Sequence, residues 1–193
     1  MTLARREIQY IDKKQCFRLI KMNKANEQKS IEGFSLTAKL FHWGFILIFS
    51  YGIFKQIDDI NQLEDLALLK FEIIFALLFM LFLIIRFIYM KRTQKSSLPP
   101  NTTKFQKAAV KLVHYGLYVT MFLIAISGLM IGLLYWVGWK NGLLIETIIF
   151  LHESSVSIVY WLIGLHLIGA VYHWFKNDGV WESMVPILNR NRK

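Results

Sequence analysis

The fold is decided by the stretch LHESSVSIVYWLIGLHLIGAVYHWF, residues 151–175. After Glu153 it carries no Asp, Glu, Lys or Arg, which is typical of a helix that spans a membrane. It nevertheless contains three of the five histidines, His152, His166 and His173. Their spacings of 14 and 7 residues are close to whole helical turns, so all three lie within roughly 60° of one another on one face. An imidazole in an apolar helix is costly unless it pairs or binds something, so this face predicts a binding site.

The composition supports a membrane protein. The chain has 193 residues, of which 55% are hydrophobic and 15% aromatic, and this favours several membrane spans over a soluble domain. The net charge of +10 is spread unevenly, so we expect no nucleic-acid partner. Cys16 is the single cysteine, which excludes an intramolecular disulfide and a thiolate metal cage. There is no CxxCH, so a haem would be held without thioether bonds, and no cleavable signal peptide is expected.

Four spans are predicted, at residues 35–54, 66–90, 112–139 and 151–175. They predict an all-α, integral membrane four-helix bundle that runs up and down, at residues 34–180. His114 is expected in the first turn of the third span. Residues 145–150 are expected either to lie along the surface or to extend the fourth span. A tail follows at 181–193.

Residues 1–33 form a basic N-terminal extension. Its segment 8–22 predicts either an amphipathic helix on an anionic membrane surface or an unstructured tail. A further reading takes Met22 as the true start.

The charges predict the orientation. All but three of the 23 Lys and Arg lie in the N-terminal segment, the loop between spans two and three, or the tail. The exceptions are Lys55, Lys70 and Lys140, on loops and span ends that hold seven acidic residues. Both termini are therefore expected in the cytoplasm, with the lipid bilayer of a bacterial inner membrane as partner.

Depth selects two of the histidines. His166 lies about 14 Å from the cytoplasmic end of its span and His42 about 10 Å from the same surface, at 1.5 Å per residue. Two neutral imidazoles that face each other at one level can take both axial positions of a haem iron. Arg86, at the cytoplasmic end of span two, is placed to pair with a haem propionate, and Lys39 is a second candidate.

The other three histidines leave alternatives open. His114 is either a proton carrier beside a quinone or a histidine at a helix end. His173 suits the C-terminal end of a helix, where a cation is favoured. His152 lies about 21 Å from His166 along the helix. As a ligand it would need a partner at the outer end of span two, which offers Lys70 and Glu72 but no histidine.

Short motifs occur in the order found in one family. They are KLFHW (39–43), IIR (84–86), LVHYGLYV (112–119), ISGL (126–129), HE (152–153), GLH (164–166) and KNDGVWESMVP (176–186). Over residues 35–188 the chain resembles the bacterial cytochrome b561 family. That superfamily also includes the cytochrome b subunits of Ni-hydrogenases and formate dehydrogenases.

The resemblance implies a four-helix bundle with haem b between His42 and His166. Members with two haems hold the outer one between the position of His152 and a second-span histidine. That second position falls near Glu72 here, so His152 either binds nothing, holds a five-coordinate haem or takes an unusual partner such as Lys70. The position of His114 resembles the region where relatives bind quinone.

These observations predict a membrane electron carrier of the respiratory chain that exchanges electrons between haem b and the quinone pool. One alternative is a haem-bearing anchor subunit that docks a soluble or peripheral redox subunit of a dehydrogenase or hydrogenase. Another is a superoxide:quinone oxidoreductase, although acidic outer loops disfavour an anionic substrate. The last is a four-span structural or transport protein without a cofactor.

Overall fold

The computed structural model describes residues 15, 17–18, 34–57, 59–93, 98–99 and 102–185. Apart from residues 15, 17 and 18, the N-terminal extension lies outside the described residues. The predicted surface helix at 8–22 and the alternative start at Met22 therefore stay predictions. The end of the tail, 186–193, also lies outside the described range.

The described ranges contain five α-helices, one 3₁₀ helix and no strand. The α-helices are α1 (Leu36–Phe54), α2 (Leu66–Thr93), α3 (Lys104–Trp136), α4 (Leu143–Lys176) and α5 (Val180–Met184), and the 3₁₀ helix is Ile60–Glu64. The four long helices are each long and apolar enough to cross a membrane. This confirms the predicted all-α fold with four spans.

Two helices begin earlier than the hydropathy predicted. The Thr103 side chain accepts from the Gln106 backbone, and the Gln106 side chain accepts from the Thr103 backbone, which starts α3 in polar sequence. His114 therefore lies about three turns into α3, and the prediction of a first-turn position was wrong. The helix α4 begins directly after Gly142, whose φ of 105° suits glycine.

Residues 145–150 extend α4, and the alternative of a separate surface helix was wrong. Ile145 and Ile148 are buried in a cluster with Leu63 from the 3₁₀ helix, Leu69 from α2 and Tyr135 from α3. Packing of these side chains against the 3₁₀ helix, α2 and α3 holds the first turns of α4 in line with the bundle.

The helices pack in chain order. Extensive contacts join α3 to α4 and α2 to α3, and a smaller set joins α1 to α2. Helices α1 and α4 have fewer close backbone contacts in the described part of the chain, although both contribute side chains to the central cluster. The centre of the bundle is this cluster of Phe45, Phe79, Leu83, Met121 and Val159, all buried, together with Ala125.

Contacts at each end establish the up-and-down arrangement. At one end, Lys140 Nζ lies 3.0 Å from Glu64 Oε1 and joins the two loops there. We call this the acidic end, because the acidic residues Glu64 and Asp65 lie in the loop there. At the other end, the basic end, Trp43 Nε1 donates to the carbonyl oxygen of Met184 at 3.2 Å. The short helix α5 therefore folds back onto the start of α1.

Candidate functional site

Each long helix contributes one polar side chain to a single cluster near the basic end. These are His42 from α1, Arg86 from α2, His114 from α3 and His166 from α4, and we call them the histidine cluster. His42, Arg86 and His166 are partly buried, whereas His114 is exposed. The packing of four apolar helices thus brings together residues that are up to 124 positions apart in the chain, as His42 and His166 are.

The spacing of His42 and His166 fits a shared metal ion. Their ring centroids lie 6.3 Å apart, with an angle of 61° between the ring planes. A metal–imidazole bond is about 2 Å, and the nitrogen lies roughly 1 Å from the ring centroid, so two rings on one ion have centroids about 6 Å apart. The ring centroids of the two side chains predicted from depth therefore lie at about this separation.

Arg86 lies beside this pair. Its Nη2 atom is 2.8 Å from His42 Nδ1, and because a guanidinium only donates, Nδ1 of His42 is the acceptor. The guanidinium also lies over the rings of Phe45 at 5.1 Å and Tyr118 at 5.2 Å. Its Nε atom is buried without a hydrogen-bond partner among the described residues. A buried donor of this kind fits an anionic group such as a haem propionate.

His114 has a different hydrogen-bond pattern. Its Nδ1 atom lies 2.7 Å from the carbonyl oxygen of Val110, and because a carbonyl only accepts, Nδ1 carries the proton. Its Nε2 atom therefore holds a lone pair. The ring centroid is 5.0 Å from that of His166, so His114 lies directly beside the candidate ligand pair.

A haem fits the cluster better than a bare metal ion. Within the described ranges, no group of three or more His, Cys, Asp or Glu side chains could hold a metal ion alone. Haem needs only two axial ligands from the protein, and neutral imidazoles are among its usual ligands. His42, His166 and Arg86 together supply two such ligands and one cation.

His173 lies outside the cluster. It is in the last turn of α4, as predicted, and its Nδ1 atom is 2.8 Å from Asp178 Oδ2. Lys39, the second candidate for a propionate, donates from Nζ to the carbonyl oxygen of Glu182 at 3.3 Å. Both side chains thus have contacts with the segment that follows α4.

His152 lines a separate cavity of about 420 Å³ toward the acidic end. We call it the outer cavity. It is bounded by parts of all four long helices and is also lined by Lys55 and Glu72, which form an ion pair with each other. Lys70, one of the predicted partners of His152, is not among the lining residues, and its Nζ lies 5.8 Å from the ring centroid of Trp136.

Two side chains in contact with the outer cavity or its histidine were not predicted from the sequence. Ser127 is fully buried in α3 and its Oγ lies 3.0 Å from His152 Nδ1. The sequence does show the Ser127 hydroxyl inside an apolar span. It gives no sign that this hydroxyl contacts His152, which is 25 positions away. Lys55 was counted only as a loop charge, although it follows α1 directly.

No curated protein and no solved structure matches the chain. The family model described as prokaryotic cytochrome b561 matches residues 33–186. The matched segment includes all four long helices, the histidine cluster and the outer cavity. The family consists of membrane proteins that bind haem b and carry electrons. The chain belongs to the prokaryotic cytochrome b561 family.

Proposed function

We propose that the protein holds one haem b at the histidine cluster and exchanges electrons with membrane quinone. The observation that carries the proposal is the 6.3 Å separation of the His42 and His166 rings, which come from the first and the last of the four long helices. In this proposal the two imidazoles would hold the haem iron. Haem b, when bound, supplies a reversible one-electron change between ferrous and ferric iron.

Arg86 has two roles in this proposal. A neutral imidazole has a lone pair on only one nitrogen, and in the described arrangement Arg86 donates to the lone pair on Nδ1 of His42. The proton of His42 is then on Nε2, so His42 would hold the iron through Nε2 only with the guanidinium turned away from Nδ1. Arg86 would then hold a propionate.

His114 is the proposed proton carrier. Oxidation of a quinol to a quinone releases two protons and two electrons, and the electrons would reduce the ferric haem in two successive one-electron turnovers. The site therefore needs a base for the protons. His114 donates its Nδ1 proton in a hydrogen bond to the carbonyl oxygen of Val110, which leaves Nε2 unprotonated. The exposed ring can therefore accept a proton from a quinol hydroxyl at Nε2. It lies beside His166, which keeps proton and electron transfer close together.

The charge of the acidic end favours this function over superoxide oxidation. Among the described residues, Asp59, Glu64, Asp65, Glu146 and Glu153 surround that end of the bundle. An anionic substrate such as superoxide would be repelled there.

Substitution of the ligands tests the proposal. We expect His42→Ala and His166→Ala each to lose the haem absorbance of the purified protein, because each removes an axial ligand. The matched control is His173→Ala, whose side chain pairs with Asp178 outside the cluster. We expect it to retain the haem. A dithionite-reduced minus oxidised spectrum measures the result, and an unchanged spectrum in both ligand variants would refute the assignment.

A further inference from the structure

The outer cavity contains an imidazole that is oriented for binding. Ser127 Oγ lies 2.5 Å from the carbonyl oxygen of Leu123 and 3.2 Å from that of Ile124, so its hydroxyl proton is directed to a carbonyl. Its oxygen must therefore accept from His152 Nδ1, at 3.0 Å. This leaves a lone pair on Nε2 of His152. The ring also packs against Gly128, where an added Cβ would be 3.3 Å from Cε1.

The walls suit a flat apolar ring. The cavity is lined by Phe49, Phe75 and Phe79, and by Gly52 and Gly128, which present no side chain. Its volume of about 420 Å³ is within the range of pockets that hold small organic molecules. Such pockets combine apolar walls with a few polar groups that fix the orientation of the ligand.

The second polar group is the Lys55–Glu72 ion pair. The side chains are 15% and 23% exposed, and Lys55 Nζ lies 4.4 Å from the ring centroid of Phe75. Because Glu72 is already paired with a cation and no second imidazole lines the cavity, the described side chains do not fit a haem with two axial histidines. They fit a smaller ligand with oxygen atoms on its ring.

A ligand would reach the outer cavity from the lipid bilayer, between α1 and α4. The cavity is bounded on one side by Phe49, Gly52 and Ile53 of α1 and on the other by Val156 and Tyr160 of α4. These two helices have few close backbone contacts with each other in the described part of the chain. A ligand dissolved in the bilayer can therefore enter between them with little displacement of the helices.

We propose that the outer cavity is a second site, which binds the ring of a hydroquinone with a ring hydroxyl donating to His152 Nε2. The other ring oxygen faces the Lys55–Glu72 pair. The choice of ligand class rests on the proposed function, whereas the site itself rests on the cavity and the His152 tautomer.

A redox-inactive probe tests binding separately from electron transfer. The probe is 2-heptyl-4-hydroxyquinoline N-oxide, a hydroxylated ring that mimics a quinol, titrated by fluorescence into the purified haem-loaded protein. We expect saturable binding, with the dissociation constant raised at least about tenfold in His152→Leu because the acceptor is lost. Ser127→Ala should weaken binding by a smaller factor, since it removes only the group that orients His152.

The control variant is His173→Ala, which should bind the probe like the native protein. The haem spectrum of the cluster reports whether each variant is folded. We expect one haem per chain in the native protein. The inference is overturned if the native protein does not bind the probe, or if the titrations of His152→Leu and the native protein coincide. It is also overturned if the native protein carries two haems and His152→Leu loses one.

The two proposals fail in different ways. If decylubiquinol does not reduce the haem while His152→Leu still weakens probe binding, quinone exchange fails and the cavity stands as a site. If decylubiquinol reduces the haem in native protein but His152→Leu leaves probe binding unchanged, the cavity proposal fails and quinone exchange stands.

Discussion

At the scale of the residue, Arg86 sets the electrostatics of the candidate site. It is the one cation within hydrogen-bond distance of a cluster imidazole in the described ranges, at 2.8 Å from His42 Nδ1. A positive charge beside a haem stabilises the ferrous state, which carries one more electron, and so raises the reduction potential. We therefore expect the charge of Arg86 to affect the reduction potential of the haem more than its size does.

We expect Arg86→Met to lower the midpoint potential of the haem by roughly 50 mV, corresponding to about 1 kcal/mol for one electron. A redox titration followed by absorbance measures the change. The matched control is Lys91→Met, which removes an exposed cation at the same end of α2. A midpoint potential that is unchanged in Arg86→Met, or that moves equally in Lys91→Met, would contradict the assigned role.

Some side chains of the candidate sites could be predicted from the sequence, whereas some of their contacts could not. Helical spacing and span depth were enough to select His42 and His166, because both follow from the rise of a regular helix. The Ser127–His152 hydrogen bond and the Lys55–Glu72 ion pair were not predictable in this way. Each joins residues on different elements, and its geometry depends on how those elements pack.

At the scale of the element, α3 depends on glycine at its contact with α2. A Cβ built on Gly132 would lie 2.7 Å from Ile73 Cγ1, closer than atoms approach without a shift. This contact lies beside the buried cluster of Leu69 and Ile131 at the acidic end. Close approach of these two helices therefore requires the absence of a side chain at this position.

We expect Gly132→Ala to destabilise the protein by about 1–3 kcal/mol, because the added methyl group forces α2 and α3 apart. Thermal unfolding of the protein in detergent measures the loss. Gly169→Ala is the matched control, since nothing lies within 4 Å of a Cβ built there. Equal melting temperatures for the two variants would show that the α2–α3 contact tolerates the change.

The ends of the elements were the least predictable part of the fold. Hydropathy located the apolar centre of each span, but α3 begins at Lys104 in polar sequence. The Thr103–Gln106 capping box satisfies backbone groups there, so the helix continues beyond its apolar part. The first turns of α4 are likewise helical because Ile145 and Ile148 are buried against other elements, which hydropathy along the chain cannot show.

At the scale of the whole molecule, charge is divided between the two ends of the bundle. Lys91, Arg92, Lys104, Lys107 and Lys111 are at the basic end, together with the start of α1 and the end of α4. Within the described ranges, the other end has the acidic loops and, as basic residues, Lys55, Lys70 and Lys140. A bacterial membrane retains Lys- and Arg-rich loops on the cytoplasmic side.

We expect the basic end to face the cytoplasm. A reporter that is active only in the periplasm should be active when fused after Lys140 and inactive when fused after Lys107. A reporter that is active only in the cytoplasm should give the reverse pattern. The orientation proposal would be refuted if both reporters showed the basic loop in the periplasm.

The small number of close backbone contacts between α1 and α4 has a consequence for biosynthesis. A chain emerging from the ribosome can insert its four hydrophobic segments and complete its folding before any porphyrin arrives. Haem would then enter between α1 and α4, where few close backbone contacts have to separate, and would be held by His42 and His166. Cells starved of iron should therefore accumulate a colourless, correctly inserted precursor that turns red when hemin is supplied.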